Sequence, residues 1–305
     1  MKVKSFEATS FARDLTAHMC AWRRGVDGSG SPMLATWEAG IFSDYRDLAR
    51  LVAAQDEIRL HPYAAALTSS QMFALNLFLP FREGPREALA EELVPIVGSP
   101  MRIERLVFEW IPPGAILGEL AGDRPADDDE HATAVDVVAW GTGSDGIEVA
   151  VLLEVKLGEG GFTTCNGRTS RANRRPDVCA SARTFLAESD ACYLQSPAHK
   201  LRDRRYWTIF SRARGSISAA FPGADLNGAC PFAGNAQQPM RNLAIARGLE
   251  QEGVVGRAFF GLCAHDANPD VSAHWIAWHH PLARVVKTMR DNRLRRYLQI
   301  TQRCE

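Results

Sequence analysis

The chain has 305 residues, of which 46% are hydrophobic and 23% are charged, and its formal net charge is -1 at pH 7. This composition is typical of an ordinary soluble chain, and one elaborated domain over residues 1 to 305 is expected. The charge excludes the marked positive excess of a dedicated DNA-binding protein. No apolar run approaches transmembrane length and no secretory signal opens the sequence, so a cytoplasmic protein with no membrane partner is expected.

The N-terminal third predicts helices. Residues 1 to 60 have an amphipathic pattern, and an apolar helix from Met72 to Leu79 follows Thr68-Ser-Ser-Gln71, which has the form of a capping box. Another helix is predicted from Pro85 to Val97, where leucine and valine recur every four residues until Gly98 ends the pattern.

Three strand-like runs follow, at residues 102 to 111, 132 to 140 and 147 to 156. Glu109 lies near the end of the first run, where a strand residue facing solvent is one interpretation. The connector from Gly141 to Gly146 is dense in turn residues, which predicts an antiparallel hairpin between the second and third runs.

The hairpin carries three charged residues in otherwise apolar runs. Asp136 interrupts the first hairpin strand, while Glu154 and Lys156 are one residue apart on the second. Because a strand alternates faces with period two, Glu154 and Lys156 point the same way. The hairpin brings Asp136 within a few residues of Glu154, and such isolated charges are costly to bury.

Two facing carboxylates repel each other unless a cation separates them, and Mg²⁺ prefers oxygen ligands. Asp136, Glu154 and the main-chain carbonyl of Val155 would suit Mg²⁺ or Mn²⁺. The ion would polarise a scissile phosphate, while Lys156 orients a water or stabilises the charge on phosphorus. The alternative is that Glu154 and Lys156 only neutralise each other at a sheet edge.

The segment from about 163 to 236 is rich in arginine and cysteine, and we interpret it as an insertion. Its basic residues are either a flank for a phosphate backbone or a solvated surface. They are Arg168, Arg171, Arg174, Arg175, Arg183, Lys200, Arg202, Arg204 and Arg205. The acidic run from Asp123 to Glu130 is expected to be an exposed linker.

Four of the seven cysteines lie in this segment. They are Cys165, Cys179, Cys192 and Cys230. Reduced thiols or metal ligands are expected in an intracellular protein. No pair has the Cys-x-x-Cys spacing of structural zinc, and buried apolar thiols are the alternative.

A helix is predicted from about 238 to 251, with Pro239 tolerated in its first turn. Arg241 on this helix would suit bidentate contact with a phosphate near the active edge of the sheet. A strand-like run from Gly256 to Cys263 follows, then a late strand from Ser272 to His279 and a closing helix from Leu282.

The order of these segments resembles the PD-(D/E)XK nuclease superfamily, in particular a restriction-endonuclease-like bacterial family within it. Four blocks carry the resemblance: Ser69 to Phe78, Phe108 to Pro112, Thr133 to Asp136 with Glu154-Val-Lys156 and Glu159, and Gln238 to Asn242. The sequence departs from the family pattern at Leu157-Gly158, where an aromatic residue is common, and at Pro239.

The resemblance implies an α/β fold with a restriction-endonuclease-like αβββαβ core, in which helices flank a mixed sheet, plus the helical N-terminal region and the insertion. It implies Asp136, Glu154 and Lys156 as catalytic residues and Glu109 as a further acidic metal ligand. Gln71 and Gln238 would contact substrate together with Arg241. Some superfamily members hold an iron–sulfur cluster with four cysteines, generally with three of them close together, which this sequence does not show. Such a cluster, or Zn²⁺, is a second candidate cofactor, with buried apolar thiols as the alternative.

The function predicted first is Mg²⁺-dependent endonucleolytic hydrolysis of DNA. A nuclease fold that binds nucleic acid without cutting it, and a different protein in which Glu154 and Lys156 are only an ion pair, remain as alternatives. A homodimer would supply two active sites for two strands.

Overall fold

The computed structural model describes residues 9–119, 132–195, 204–212, 228–265 and 267–271, apart from residues 231 and 235. Its helices are α1 (Ser10–Asp27), α2 (Arg46–Gln55), α3 (Ser70–Arg82), α4 (Glu87–Val97), α5 (Gly114–Leu117), α6 (Asn166–Thr169), α7 (Ala182–Ala187), α8 (Tyr206–Arg212) and α9 (Gln237–Gln251). Its strands are β1 (Met101–Trp110), β2 (Val135–Gly143), β3 (Glu148–Lys156) and β4 (Arg257–Ala264).

The four strands form one mixed sheet in the order β1-β2-β3-β4. The pairs β1/β2 and β2/β3 are antiparallel, whereas β3 and β4 run parallel. A parallel pair needs a long crossover connection, and here the chain between β3 and β4 contains the insertion and α9. The predicted αβββαβ order and mixed sheet are therefore confirmed.

Helices cover both faces of the sheet. Val151 and Leu153 of β3 pack in one hydrophobic core with residues of α2, α3 and α4. Ala150 and Leu152 pack in the other core with residues of α8, α9 and the insertion. Because both faces are covered, β3 is a nearly continuous apolar run, and a charged residue in it must find its partners inside the protein.

The hairpin forms as predicted, but β2 continues to Gly143 and the turn is shorter than the sequence indicated. The reason lies at Gly141, where a Cβ atom would collide with the main-chain oxygen of Arg102 on β1. Glycine at this position permits the close approach of two strands and is no turn signal. The turn itself closes through a hydrogen bond from Gly143 N to Ile147 O of 2.8 Å.

The predicted capping box before α3 is wrong. The N-cap is Ser69, whose side chain accepts a hydrogen bond from Met72 N at 3.3 Å. Gln71 is then the second helical residue and not the third, so it is not placed to complete the box. Its side chain accepts from His61 N at 3.0 Å and donates to Arg59 O at 3.0 Å.

Several predicted features lie outside the described residues: the acidic run from Asp123 to Glu130, Lys200 and Arg202, the late strand from Ser272 to His279, and the closing helix from Leu282. Across the described part of the chain, no helix combines the length and the apolar character that a membrane span requires.

Candidate functional site

Three carboxylates lie in a row across neighbouring strands. Phe108 pairs with Val137 and Trp110 with Val135, so the register places Glu109 opposite Asp136. On the other side of β2, Val137 pairs with Leu153, and the next position along sets Asp136 opposite Glu154. Neighbouring residues on antiparallel strands have Cβ atoms about 4.5–5.5 Å apart, so the register alone brings these acids together.

Asp136 is held by the strand next to it. Its Oδ2 accepts a hydrogen bond from Val155 N at 2.6 Å, where the hairpin ladder would otherwise continue. Burial raises the pKa of Asp136 well above its ordinary value, and the charges of Glu154 and Glu109 raise it further. Lys156 and the Val155 N–H oppose this rise without cancelling it. A cation between the carboxylates would therefore be favoured.

Glu154 and Lys156 form a buried ion pair. They are 2% and 6% exposed, and Lys156 Nζ lies 2.7 Å from Glu154 Oε1. The Lys156 ammonium is thus the charged partner of Oε1. The other oxygen, Oε2, accepts from Asn242 Nδ2 at 2.7 Å.

Lys156 remains an ammonium at neutral pH. Burial lowers its pKa, but the charges of Glu154, Glu159 and Asp136 outweigh burial and leave the pKa above its ordinary 10.5. The Glu159 carboxylate is fixed in turn, because its Oε2 accepts from Leu157 N at 3.0 Å. Lys156 can therefore supply a positive charge or hydrogen-bond donors, whereas it cannot accept a proton.

Glu109 has an unusual backbone, with a φ of +47° in the left-handed region that non-glycine residues rarely adopt. Such a conformation persists only where the surroundings hold it. The adjacent Phe108 N donates to Asp56 Oδ2 at 2.9 Å, and Asp56 itself pairs with Arg82 at 2.9 Å.

The carboxyl of Glu109 interacts electrostatically with Glu154 and Lys156. Burial raises the pKa of Glu109 to about 7, with the charge of Glu154 adding to the rise. A hydrogen bond from Gln71 and the charge of Lys156 act in the opposite direction. Gln71, predicted to bind substrate, therefore lies next to an acidic residue of the candidate site.

Arg241 and Gln238 on α9 already have partners. Arg241 Nε donates to Thr133 Oγ1 at 2.5 Å, and its guanidinium lies 3.6 Å from Glu119 Oε1. Gln238 Oε1 accepts from Thr163 N at 3.2 Å. These side chains connect α9 to Thr133, just before β2, and to the start of the insertion. A phosphate that binds Arg241 or Gln238 must therefore replace one of their present hydrogen-bond or ion-pair partners.

A second buried acid, Glu119, organises this region. It accepts hydrogen bonds from Thr133 N at 2.6 Å, from Thr133 Oγ1 at 2.9 Å and from the hydroxyl of Tyr206, and it lies 3.9 Å from Arg204. Arg204, expected in a basic flank, is thus buried against an acid. Arg171, Arg174, Arg175 and Arg183 are exposed, as a flank requires.

The residues that sequence reasoning missed are Asn242, Glu119 and Tyr206. Asn242 belongs to the block from Gln238 to Asn242, where the sequence assigns it no role, although its side chain donates to Glu154. Glu119 and Tyr206 are 87 residues apart, and no local pattern in the sequence relates them.

The donor set fits a hard divalent ion. Burial raises the pKa of Asp136 well above its ordinary value, and the charges of Glu154 and Glu109 raise it further, so a cation between these carboxylates would be stabilising. No group of three or more His, Cys, Asp or Glu side chains among the described residues is arranged to hold a metal ion. The pair Asp136 and Glu154, with the Val155 carbonyl, is therefore the candidate ligand set, and Glu109 stands beside it.

The four cysteines of the insertion meet at a different place. Cys165, Cys179, Cys192 and Cys230 line one cavity between the insertion, α8 and α9. Their spacing along the chain does not predict this convergence.

The comparison with protein families agrees with this geometry. A family model described as "Restriction Endonuclease associating with ARP" matches residues 35–304. The chain belongs to this family. The resemblance to restriction-endonuclease-like proteins is thereby confirmed, and membership of this family indicates a nuclease. Neither the curated proteins nor the solved structures gave a match.

Proposed function

We propose that this protein is a divalent-metal-dependent endonuclease that hydrolyses phosphodiester bonds in DNA, with Asp136, Glu154 and Lys156 as its catalytic residues. The observation that carries the proposal is the buried ammonium of Lys156, 2.7 Å from a carboxylate that faces a second carboxylate across the hairpin. A buried ion pair gives little net stability in general, so its presence beside a third charge favours a chemical role.

Asp136 and Glu154 hold the ion in this proposal, and Glu109 adds negative charge next to them. Mg²⁺ or Mn²⁺, when bound, polarises the scissile phosphate and lowers the pKa of a water. The Val155 N–H fixes one oxygen of Asp136, and Asn242 fixes one oxygen of Glu154. The other oxygen of Glu154 lies 2.7 Å from Lys156 Nζ, so an ion that binds this oxygen must compete with the ammonium.

Lys156 stabilises the negative charge that develops on the phosphoryl oxygens. Its pKa stays above the ordinary value, so it brings a full charge to a site shielded from water, where such charges act strongly. It also donates hydrogen bonds that orient the attacking water. Because Lys156 is already protonated, it does not serve as the general base.

DNA contacts come from two sets of residues. Gln71 hydrogen-bonds to Glu109, and in this proposal it contacts the DNA together with Gln238 and Arg241 of α9. Arg241 would exchange the Glu119 carboxylate for a phosphate, which also matches its planar donors. The exposed arginines of the insertion supply contacts to the backbone farther from the cut. Binding should therefore weaken steeply as salt concentration rises.

The test is cleavage of plasmid DNA, linear DNA, single-stranded DNA and RNA with Mg²⁺, Mn²⁺ or EDTA. We expect metal-dependent cleavage of DNA that is lost in Asp136→Ala and Lys156→Ala. Glu104→Gln is the matched control, because Glu104 lies on β1 but is exposed and pairs with Arg102. Circular dichroism and thermal melting must show that all variants fold.

Cleavage that persists in both variants would refute the assigned site. DNA binding without cleavage under every condition would favour a catalytically silent nuclease fold, and cleavage of RNA alone would refute the substrate class. Sedimentation of the same preparation tests the proposed homodimer, which would cut two strands with two sites.

A further inference from the structure

Four thiols from separate parts of the insertion surround one cavity of about 20 Å³. A cavity of about 10–15 Å³ already holds one water, so this space accommodates a bound group. The cysteines are Cys165, Cys179, Cys192 and Cys230, and the cavity also contacts Trp207, Phe232 and Met240. All of the described cysteines are free thiols, so no disulfide accounts for the convergence.

The backbone around two of these thiols is shaped to donate to sulfur. Cys192 and Cys230 each begin a tight turn, closed by hydrogen bonds from Gln195 N to Cys192 O at 2.8 Å and from Ala233 N to Cys230 O at 3.0 Å. In each turn the N–H two residues after the cysteine points to its sulfur. The indole of Trp207 also donates to Cys192. Donors of this kind stabilise a thiolate and tune metal–thiolate centres.

Backbone hydrogen bonds also join two of the cysteine-bearing segments. Cys230 N donates to Cys179 O at 2.8 Å, and Ala182 N donates to Gly228 O at 2.8 Å. These bonds hold the segment of Cys179 beside that of Cys230. The backbone therefore holds Cys179 and Cys230 next to each other.

The four cysteines offer sulfur ligands, which prefer soft cations. A soft cation would bind them as thiolates and release their protons.

The described helices of the insertion are short. Between β3 and α9 they have only four, six and seven residues, besides short 3-10 turns. Helices this short are not stable by themselves, so they depend on tertiary contacts such as the hydrophobic core that they share with α9. A metal centre would add to the stabilisation that this core provides.

We propose that Cys165, Cys179, Cys192 and Cys230 ligate a soft metal centre, most consistent in form with an iron–sulfur cluster. A single Zn²⁺ with bonds of about 2.3 Å would draw four sulfurs to within about 3.8 Å of one another. The described cysteines are not gathered in that way, since they form no group arranged for one ion. A cluster binds each thiolate through a different iron, so its ligands stand farther apart around a central space.

The test is purification of the full chain without oxygen, followed by measurement of iron, acid-labile sulfide, zinc and the visible absorption spectrum. We expect iron and sulfide in the wild type, with broad visible absorption, and loss of both in Cys192→Ser and Cys230→Ser. The matched control is Cys20→Ser, because Cys20 is a free thiol on α1 and does not line the cavity. This control should retain the full metal content.

If the variants do not fold, the wild type can be tested instead by removing its metal with a chelator and then adding the metal back. Refilling with Fe²⁺ and sulfide should restore the spectrum and protect residues 163 to 236 from proteolysis. One zinc per chain that depends on the same cysteines would support the ligand set and overturn the cluster. A fully folded wild type that takes up neither metal, or that contains a disulfide among these cysteines, would overturn the proposal.

The metal content of the insertion is independent of nuclease activity. Asp136→Ala leaves the four cysteines unchanged, so it should lose cleavage and keep the metal. Cys192→Ser should lose the metal regardless of whether the wild type cuts DNA.

Discussion

Replacement of Glu109 by glutamine should stabilise the metal-free protein at alkaline pH. The pKa of Glu109 rises from its ordinary 4.5 to about 7 in the folded chain, chiefly because the carboxyl is buried. The folded state then binds a proton between pH 4.5 and pH 7 that the unfolded state has released. The free energy of unfolding therefore falls as pH rises through this range, and the loss is complete near pH 8.

The difference between pKa values of 4.5 and 7 corresponds to an upper bound of about 3 kcal/mol. Glu109 is only partly buried by surface area, so solvent screening reduces this effect. We expect Glu109→Gln to raise the free energy of unfolding by about 1 to 3 kcal/mol at pH 8 and by almost nothing at pH 4.5. Glutamine has the same shape, so the left-handed backbone stays the same.

Urea unfolding in EDTA at both pH values measures this gain. Glu104→Gln on the same strand is the control and should change stability by only a few tenths of a kcal/mol. Added Mn²⁺ should stabilise the wild type at pH 8 and reduce the advantage of the variant. An equal effect of Glu109→Gln at both pH values would refute the reasoning from proton binding.

Three further predictions concern buried contacts. Asn242→Ala removes a hydrogen-bond donor to Glu154, so the Mn²⁺ concentration for half-maximal cleavage should rise about 10- to 100-fold. Cleavage should recover at high Mn²⁺ concentration. An unchanged dependence on Mn²⁺ would contradict a positioning role for Asn242. Lys156→Gln leaves the charge of Glu154 buried alone and should lower the free energy of unfolding by about 3–5 kcal/mol, measured with urea in the absence of metal. The double variant with Glu154→Gln should recover much of this loss. If the double variant loses as much stability as Lys156→Gln alone, the two charges do not interact. Tyr206→Phe removes a hydrogen bond to the Glu119 carboxylate and should lower the free energy of unfolding by about 1.5–3 kcal/mol, and a smaller loss would indicate that water replaces the hydroxyl.

The sheet and its charged hairpin could be predicted because their signals are local. Two apolar runs around a turn indicated the pairing of β2 with β3, and period two placed Glu154 and Lys156 on one face. The proximity of Asp136 to Glu154 follows from that register. Their catalytic roles, and those of Gln71, Gln238 and Arg241, stay predictions.

The features that could not be predicted depend on tertiary structure. Glu109 adopts a left-handed backbone, although glutamate gives no sign of one. Thr68 and Ser69 are both good N-cap residues, and only the folded chain shows that Ser69 is the one used. The cysteines converge from turns joined by long irregular segments, so their spacing carries no periodic signal.

The insertion is not a detachable module. Helix α9 carries Met240, which lines the cysteine cavity, and Asn242, which donates to Glu154. The first turn of the same helix is tied to Thr163 by two hydrogen bonds of 3.0 and 3.2 Å. A shortened chain that joins β3 directly to α9 would free the helix that orients a candidate catalytic carboxylate. Truncation for crystallisation or engineering should therefore spare residues 163 to 236, even though none of them belongs to the row of acids on the sheet.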